Sequence, residues 1–173
     1  MLLEKENSTI TIGKEQIAPS EDKLVKIKID RLPTGTLIDI PLYVFNAEKP
    51  GPIILVQGGL HGDEINGIEI VRRMLHKQFF KVDRGTVIAV PILNIFGFIH
   101  FSRDLPDGKD VNRSFPGTRS GSLASRIAYH FTKEIFPQID FAIDLHTGGA
   151  RRSNYPQIRY TAEDTKSLEL ARV

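Results

Sequence analysis

The chain has 173 residues, 40% of them hydrophobic and 25% charged, which suits one domain of ordinary size with a true core. It has no cysteine, so disulfides, thiolate metal sites, iron–sulfur clusters and cysteine nucleophiles are excluded, and any metal must be held by His, Asp and Glu. Its 23 basic and 21 acidic residues leave a formal charge of +2, too balanced to argue for nucleic acid or an acidic membrane surface and better suited to a small-molecule partner.

Residues 1–22 are polar and weakly patterned, and the opening MLLEKENSTITIGKEQ lacks the basic stretch and apolar core of a secretion signal. No later segment approaches the roughly 18 uninterrupted apolar residues of a membrane span. The expectation is a soluble, cytoplasmic protein with no membrane or nucleic-acid partner, for which a homo-oligomer stays open. From 24 to 40 the pattern alternates as in edge or antiparallel strands (Leu24, Val25, Ile27, Ile29, then Leu37, Ile38, Ile40), with a turn at RLPTGT. The run 40–45, IPLYVF, reads as a further strand, and AEKPGP breaks the chain before the fully apolar 53–56, which suits the inside of a mixed or parallel sheet.

A helix is predicted from Asp63 onward, with Ile65, Ile68, Val71, Met74 and Leu75 at helical spacing and Glu69, Arg72, Arg73 and Lys77 on the other face. A second buried strand follows at 86–90, entered through VDRG, so strand, helix and strand make a crossover unit of α/β type. The Gly-, Pro-, Asp- and Asn-rich stretch 94–122 is longer than a compact domain leaves unstructured without a task, and is read as a binding loop. A helix over 123–136 closes at Pro137, and a third apolar strand over 139–145 ends at His146. The predicted fold is α/β, a mixed and mostly parallel sheet flanked by helices, preceded by an N-terminal β segment over 1–50.

Chemistry gathers at two strand ends. QGGLHGDE follows the first buried strand and places His61 and Glu64 three residues apart where strand gives way to helix, a spacing that suits two ligands of one ion. Gly58, Gly59 and Gly62 are expected to keep bulk away from the approach. His146, in IDLHTGG, supplies a third ligand from the same topological setting, beyond the carboxyl ends of strands where open α/β sheets place their ligands. Two imidazoles and a carboxylate suit one zinc ion, with a fourth position free for a water that the ion acidifies. The plainer alternatives are a surface turn with capping acids for His61 and Glu64, and a backbone-satisfied strand end for His146.

Asp144, two residues before His146 and so on the same strand face, is placed to accept a hydrogen bond from that imidazole and fix its tautomer, or else to be held by the turn at Thr147. In the long loop, Asn112 and Arg113 offer an amide and a guanidinium fork for a substrate carboxylate, and Arg103 can stabilise an oxyanion. For both arginines the alternative is a solvated loop charge. His76, His100 and His130 read as structural.

GGLHGDEINGIEI, RDLPDGKDVNRSFPG and IDLHTGG, in this order, resemble the three blocks of the succinylglutamate desuccinylase and aspartoacylase family, relatives of the zinc carboxypeptidases. The resemblance covers about residues 24–165 and implies a zinc carboxypeptidase-like fold, the first part of which spans 51–173. It implies His61, Glu64 and His146 as zinc ligands, Asn112 and Arg113 as the carboxylate grip, Arg103 as the carbonyl-polarising residue, and a carboxylate-bearing N-acyl amino acid or related amide as substrate. The family's general base is a glutamate well downstream of the third ligand, whereas the only glutamates after His146 here are Glu163 and Glu169. The resemblance therefore implies a chain shortened at its C-terminus, active as a zinc amidohydrolase only with that base supplied. The alternatives are a zinc carboxypeptidase acting on peptides, and a non-catalytic remnant that binds zinc and carboxylates.

Overall fold

The computed structural model describes residues 7–150 and 152–172; of the polar stretch read over 1–22, residues 1–6 lie outside them. Its main feature is a five-stranded mixed sheet made of β3 (Glu21–Arg31), β4 (Leu37–Asn46), β5 (Lys49–Gly58), β6 (Arg84–Val90) and β7 (Phe141–Leu145). Strand order is β3-β4-β6-β5-β7, with β4 antiparallel to β3 and β6, and β5 parallel to both β6 and β7. Helix α1 (Ile65–His76) joins β5 to β6, and α3 (Leu123–His130) lies on the path from β6 to β7. The fold is thus the expected α/β sheet with flanking helices and strands at its N-terminal side.

Local chemistry accounts for these elements. In β3 the buried Val25, Ile27 and Ile29 alternate with the exposed Lys26 and Lys28, and in β4 the buried Ile40, Leu42 and Val44 alternate with the half-buried Pro41, Tyr43 and Phe45, so one face of the hairpin enters the larger core. The hairpin closes at 32–36, where the Thr36 carbonyl accepts from the Leu32 amide at 2.8 Å. Residues 37–46 form a single strand rather than two, because Pro41 falls outside the Tyr43–Asn46 ladder with β6 and its missing N–H costs no rung there. In β5, Leu55 joins the core that α3 covers and Val56 the core that α1 covers, which is why the run is apolar on both faces. Helix α1 buries Ile68 and Val71 as expected, but Ile65 is exposed, and Glu69 bonds both Arg72 and Arg73 on the outer face.

Three regions differ from expectation. A hairpin, β1 (Ile10–Ile12) and β2 (Glu15–Ile17), occupies part of the stretch read as weakly patterned, within the β segment expected over 1–50. Its Ile10, Ile12 and Ile17 are buried in the larger core, each contributing about 1.5–3 kcal/mol. The long loop contains a short helix, α2 (Ile95–His100), because the Asn94 side chain caps it by accepting from the Gly97 amide at 2.8 Å. The helix read over 123–136 is α-helical only to His130 and continues as a π turn over Phe131–Ile135 and a 3-10 turn holding Pro137. At the end of the described chain, α4 (Thr165–Ala171) starts at Asp164, which caps Lys166. No helix among the described residues is long and apolar enough to cross a membrane.

The N-terminal hairpin is tied to the sheet by Asn46, which is 1% exposed. Its Oδ1 accepts from Asn7 Nδ2 and Thr86 Oγ1, at 2.9 and 2.7 Å, while its Nδ2 donates to the carbonyls of Ser8 and Ile17. Replacing it by leucine strands these partners in the interior, so Asn46→Leu is expected to lower stability by about 2–4 kcal/mol in urea unfolding.

Candidate metal centre

The site sits beyond the carboxyl ends of β5 and β7, neighbours in the sheet, with α1 packed on one face and α3 on the other. That is the crevice of an open α/β sheet. After β5 the chain turns through Gly59, whose φ of +64° favours glycine, and reaches His61. At Gly62 the turn lies directly on α2: a Cβ there would come within 1.8 Å of the Gly97 carbonyl carbon. Gly62 therefore serves a backbone-on-backbone contact rather than access to the ion, the role expected from the sequence. Glu64 is the N-cap of α1 and makes no capping bond with its side chain, which turns inward instead.

His61 and Glu64 are 2% and 5% exposed. His61 Nδ1 lies 2.9 Å from Glu64 Oε1, and His146 Nδ1 lies 2.9 Å from Glu64 Oε2, which also accepts from the Thr147 amide at 2.8 Å. One buried carboxylate thus joins the three predicted ligands, whose ligand atoms lie within 4.8 Å of one another. On the far side of His146, Nε2 lies 2.8 Å from Asp144 Oδ2, as the strand spacing predicts.

Arg103 leans over this group, with one guanidinium nitrogen 3.4 Å from His61 Nδ1 and 3.8 Å from Glu64 Oε1. Its Nε donates to Asp110 Oδ2 at 3.0 Å. Asp110 was not singled out from the sequence, yet it organises the loop: Oδ1 accepts from the Asn112 amide at 2.8 Å and stands 3.4 Å from His61 Nε2. Asn94 was also missed. Fully buried, it caps α2 and donates to the Arg103 carbonyl at 3.2 Å, fixing where that arginine leaves the helix. The signals for both were an Asx residue placed two or three positions before the amide it receives, D-x-N and N-x-x-G. Asn112 and Arg113 lie on the 3-10 turn Val111–Arg113 beside Asp110, with exposed side chains. Glu163 and Glu169 are exposed and do not belong to the ligand group. His130 pairs with Glu134, while His76 and His100 end helices α1 and α2.

Charge is held unevenly around the site. The hydrogen bond that Asp144 accepts from His146 raises the imidazole's pKa above the ordinary histidine value; partial burial opposes this, and the Glu64 charge adds to it. Burial pushes Asp110 up, but the Asn112 amide and the Arg103 guanidinium together hold its carboxyl below the usual range.

Two imidazoles and one carboxylate converging on one point, with His61 and Glu64 buried and His146 exposed, fit a divalent cation of borderline softness. His61 Nε2, a buried nitrogen without a hydrogen-bond partner among the described residues, stands 3.4 Å from the Asp110 carboxylate, which can steady the ring. Fold and site together define an α/β protein with a His-Glu-His group able to hold a metal ion at the carboxyl ends of its parallel strands. The model of the succinylglutamate desuccinylase/aspartoacylase catalytic domain matches residues 50–173, and the chain belongs to that family. It is 40% identical over 100 residues to the N-alpha-acetyl-L-2,4-diaminobutyric acid deacetylase of Halomonas elongata, a match covering 57% of this chain and 29% of that protein.

Among solved structures, a succinylglutamate desuccinylase from Silicibacter sp. superposes with a TM-score of 0.67 at 30% identity, covering 84% of this chain and 44% of that one. The product-bound ectoine utilization protein EutE of Ruegeria pomeroyi superposes with a TM-score of 0.62 at 29% identity, over 74% of this chain and 40% of that one. The chain thus spans less than half the length of these relatives.

A metal ligated by His146 Nδ1 must displace a proton there, and the raised pKa of this imidazole sets where that competition falls. The affinity of this group for a divalent cation is expected to be full at alkaline pH and to weaken as pH drops through a value above the ordinary histidine range. In Asp144→Asn the weakening is expected at lower pH, as read by titration with a divalent cation across pH.

Proposed function

We propose that this chain carries the zinc-holding and carboxylate-gripping part of a deacylase that hydrolyses an N-acyl amino acid or related amide to a carboxylic acid and a free amine. The observation that carries the reading is the buried Glu64 carboxylate joining His61 and His146 under the Arg103 guanidinium. Zinc at this triad supplies Lewis-acid activation of water and of the acyl carbonyl. Arg103, held by Asp110 through Nε and a terminal nitrogen, turns its other terminal nitrogen toward His61 and Glu64, from where it can meet the oxygen that gains negative charge as the carbonyl is attacked. Asp144 and Asp110 steady the imidazoles of His146 and His61.

Arg113 and Asn112 extend from the same turn that Asp110 organises, so a substrate carboxylate held by them lies alongside the triad rather than apart from it. Similarity to the Halomonas deacetylase supports an acetyl group as the acyl part and an amino acid with a second amine as the remainder. A second reading, a non-catalytic zinc and carboxylate binder, is favoured by one observation: Glu163 and Glu169 are exposed and stand outside the ligand group. Without a general base, turnover falls by about 10²–10⁴.

Purified protein is expected to hold one zinc ion, and His61→Ala to lose it; unchanged stoichiometric zinc in that variant overturns the ligand assignment. Release of acetate from N-acetyl amino acids, with blocked dipeptides uncut, is the expected specificity. Arg113→Ala should raise KM with little change in kcat, and Arg103→Ala should lower kcat by about 10²-fold. Zinc binding with no zinc-dependent turnover of either substrate class would support the binding-module reading.

A further inference from the structure

We infer that Asp63 is a positioning residue for metal capture: its carboxylate pins the turn after His146 to the start of α1 and so fixes the third ligand independently of Glu64. The inference rests on the zinc reading above and adds a residue that neither the motif nor the ligand set assigns. Asp63 Oδ2 accepts from the Ala150 amide at 2.9 Å, while Glu64 Oε2 accepts from the Thr147 amide at 2.8 Å. Consecutive carboxylates therefore clamp the two ends of the turn 147–150 that leads away from His146.

The two clamps differ in what else is asked of them. Glu64 shares its oxygens with two imidazoles and must redirect them to become a ligand, which loosens its hold on Thr147. Asp63 has no such second duty. An acid at a helix start ordinarily accepts from that helix's own first amides. Asp63 instead reaches a residue 87 positions away, and its Oδ1 is buried without a hydrogen-bond partner, a costly placement for a carboxylate oxygen. The turn is shaped to receive it. A Cβ on Gly149 would stand 2.6 Å from Asp63 Oδ2, so only glycine leaves the oxygen in place, and Ala150 holds a left-handed φ of 55° to present its N–H.

The test is zinc affinity of the full chain, measured by competition with a chromophoric chelator at neutral pH, for wild type, Asp63→Ala, Asp63→Asn and Gly149→Ala. Loss of the clamp is expected to weaken zinc binding about tenfold in Asp63→Ala and in Gly149→Ala, in line with partners that orient metal ligands. Asp63→Asn, whose amide oxygen still accepts from Ala150, is expected to bind close to wild type. Circular dichroism and urea midpoints report whether each variant folds, and Gly149→Ala, which keeps the carboxylate, carries the test if Asp63→Ala does not. Wild-type affinity in both Asp63→Ala and Gly149→Ala overturns the inference alone. Binding by Asp63→Asn as weak as by Asp63→Ala overturns it too, by making charge rather than the hydrogen bond the source. A wild-type chain that takes up no zinc overturns the metal reading and this inference together.

Discussion

Everything at the functional end of this molecule depends on one buried carboxylate. Glu64 is 5% exposed, and taking an ionised carboxylate out of water costs several kcal/mol unless its oxygens are fully engaged. Here they are: one oxygen meets His61, the other His146 and the Thr147 amide. These partners come from the end of β5 and from the end of β7, so satisfying Glu64 requires the two strands to be neighbours with their carboxyl ends level. Their parallel register, in which Gln57 stands opposite Asp144, provides this. The chemistry and the sheet topology are thus one constraint seen twice.

Around that carboxylate the loops are held by short side chains rather than by bulk. Asn94 caps α2 and grips the Arg103 carbonyl, Asp110 grips the Arg103 guanidinium and the Asn112 amide, and Gly62 lets the histidine-bearing turn rest on the α2 backbone. The stretch between β6 and α3 is consequently long without being loose. Two of its elements, α2 and the 3-10 turn, start on an Asx side chain that accepts from a nearby amide, and each delivers an arginine or its neighbour to the site. Such local bonds compete well with regular structure in Gly- and Pro-rich sequence.

Legibility in the sequence followed the strength of periodicity. The β5, α1 and β6 unit was plain because its apolar runs and its 3.6-residue repeat are long. The β1–β2 hairpin was missed because only three isoleucines in two three-residue strands carry it, and its stability comes from burying them in the larger core beside β3 rather than from itself. Helix α2 was missed because Ile95-Phe96-Gly97-Phe98-Ile99 is apolar on every side and carries a central glycine, leaving Asn94 as the sole start signal. The strand over 139–145 was read correctly in kind, but its middle, Ala142 to Asp144, is exposed at the sheet edge in this structure, which apolar composition does not foretell.

By itself the sequence singled out His61, Glu64 and His146, the three residues that the structure brings together, since HGDE at a strand-to-helix turn and a second strand-end histidine need only spacing and residue type to be recognised. It also determined the pairing of Asp144 with His146, because two residues along a strand share a face. Only the tertiary structure decided that Glu64 would bond both histidines at once, that Asp110 rather than solvent would hold Arg103, and that Asp63 would reach Ala150. Those contacts join residues from 3 to 87 positions apart. Their geometry is set by which strands lie side by side, and no local pattern encodes that.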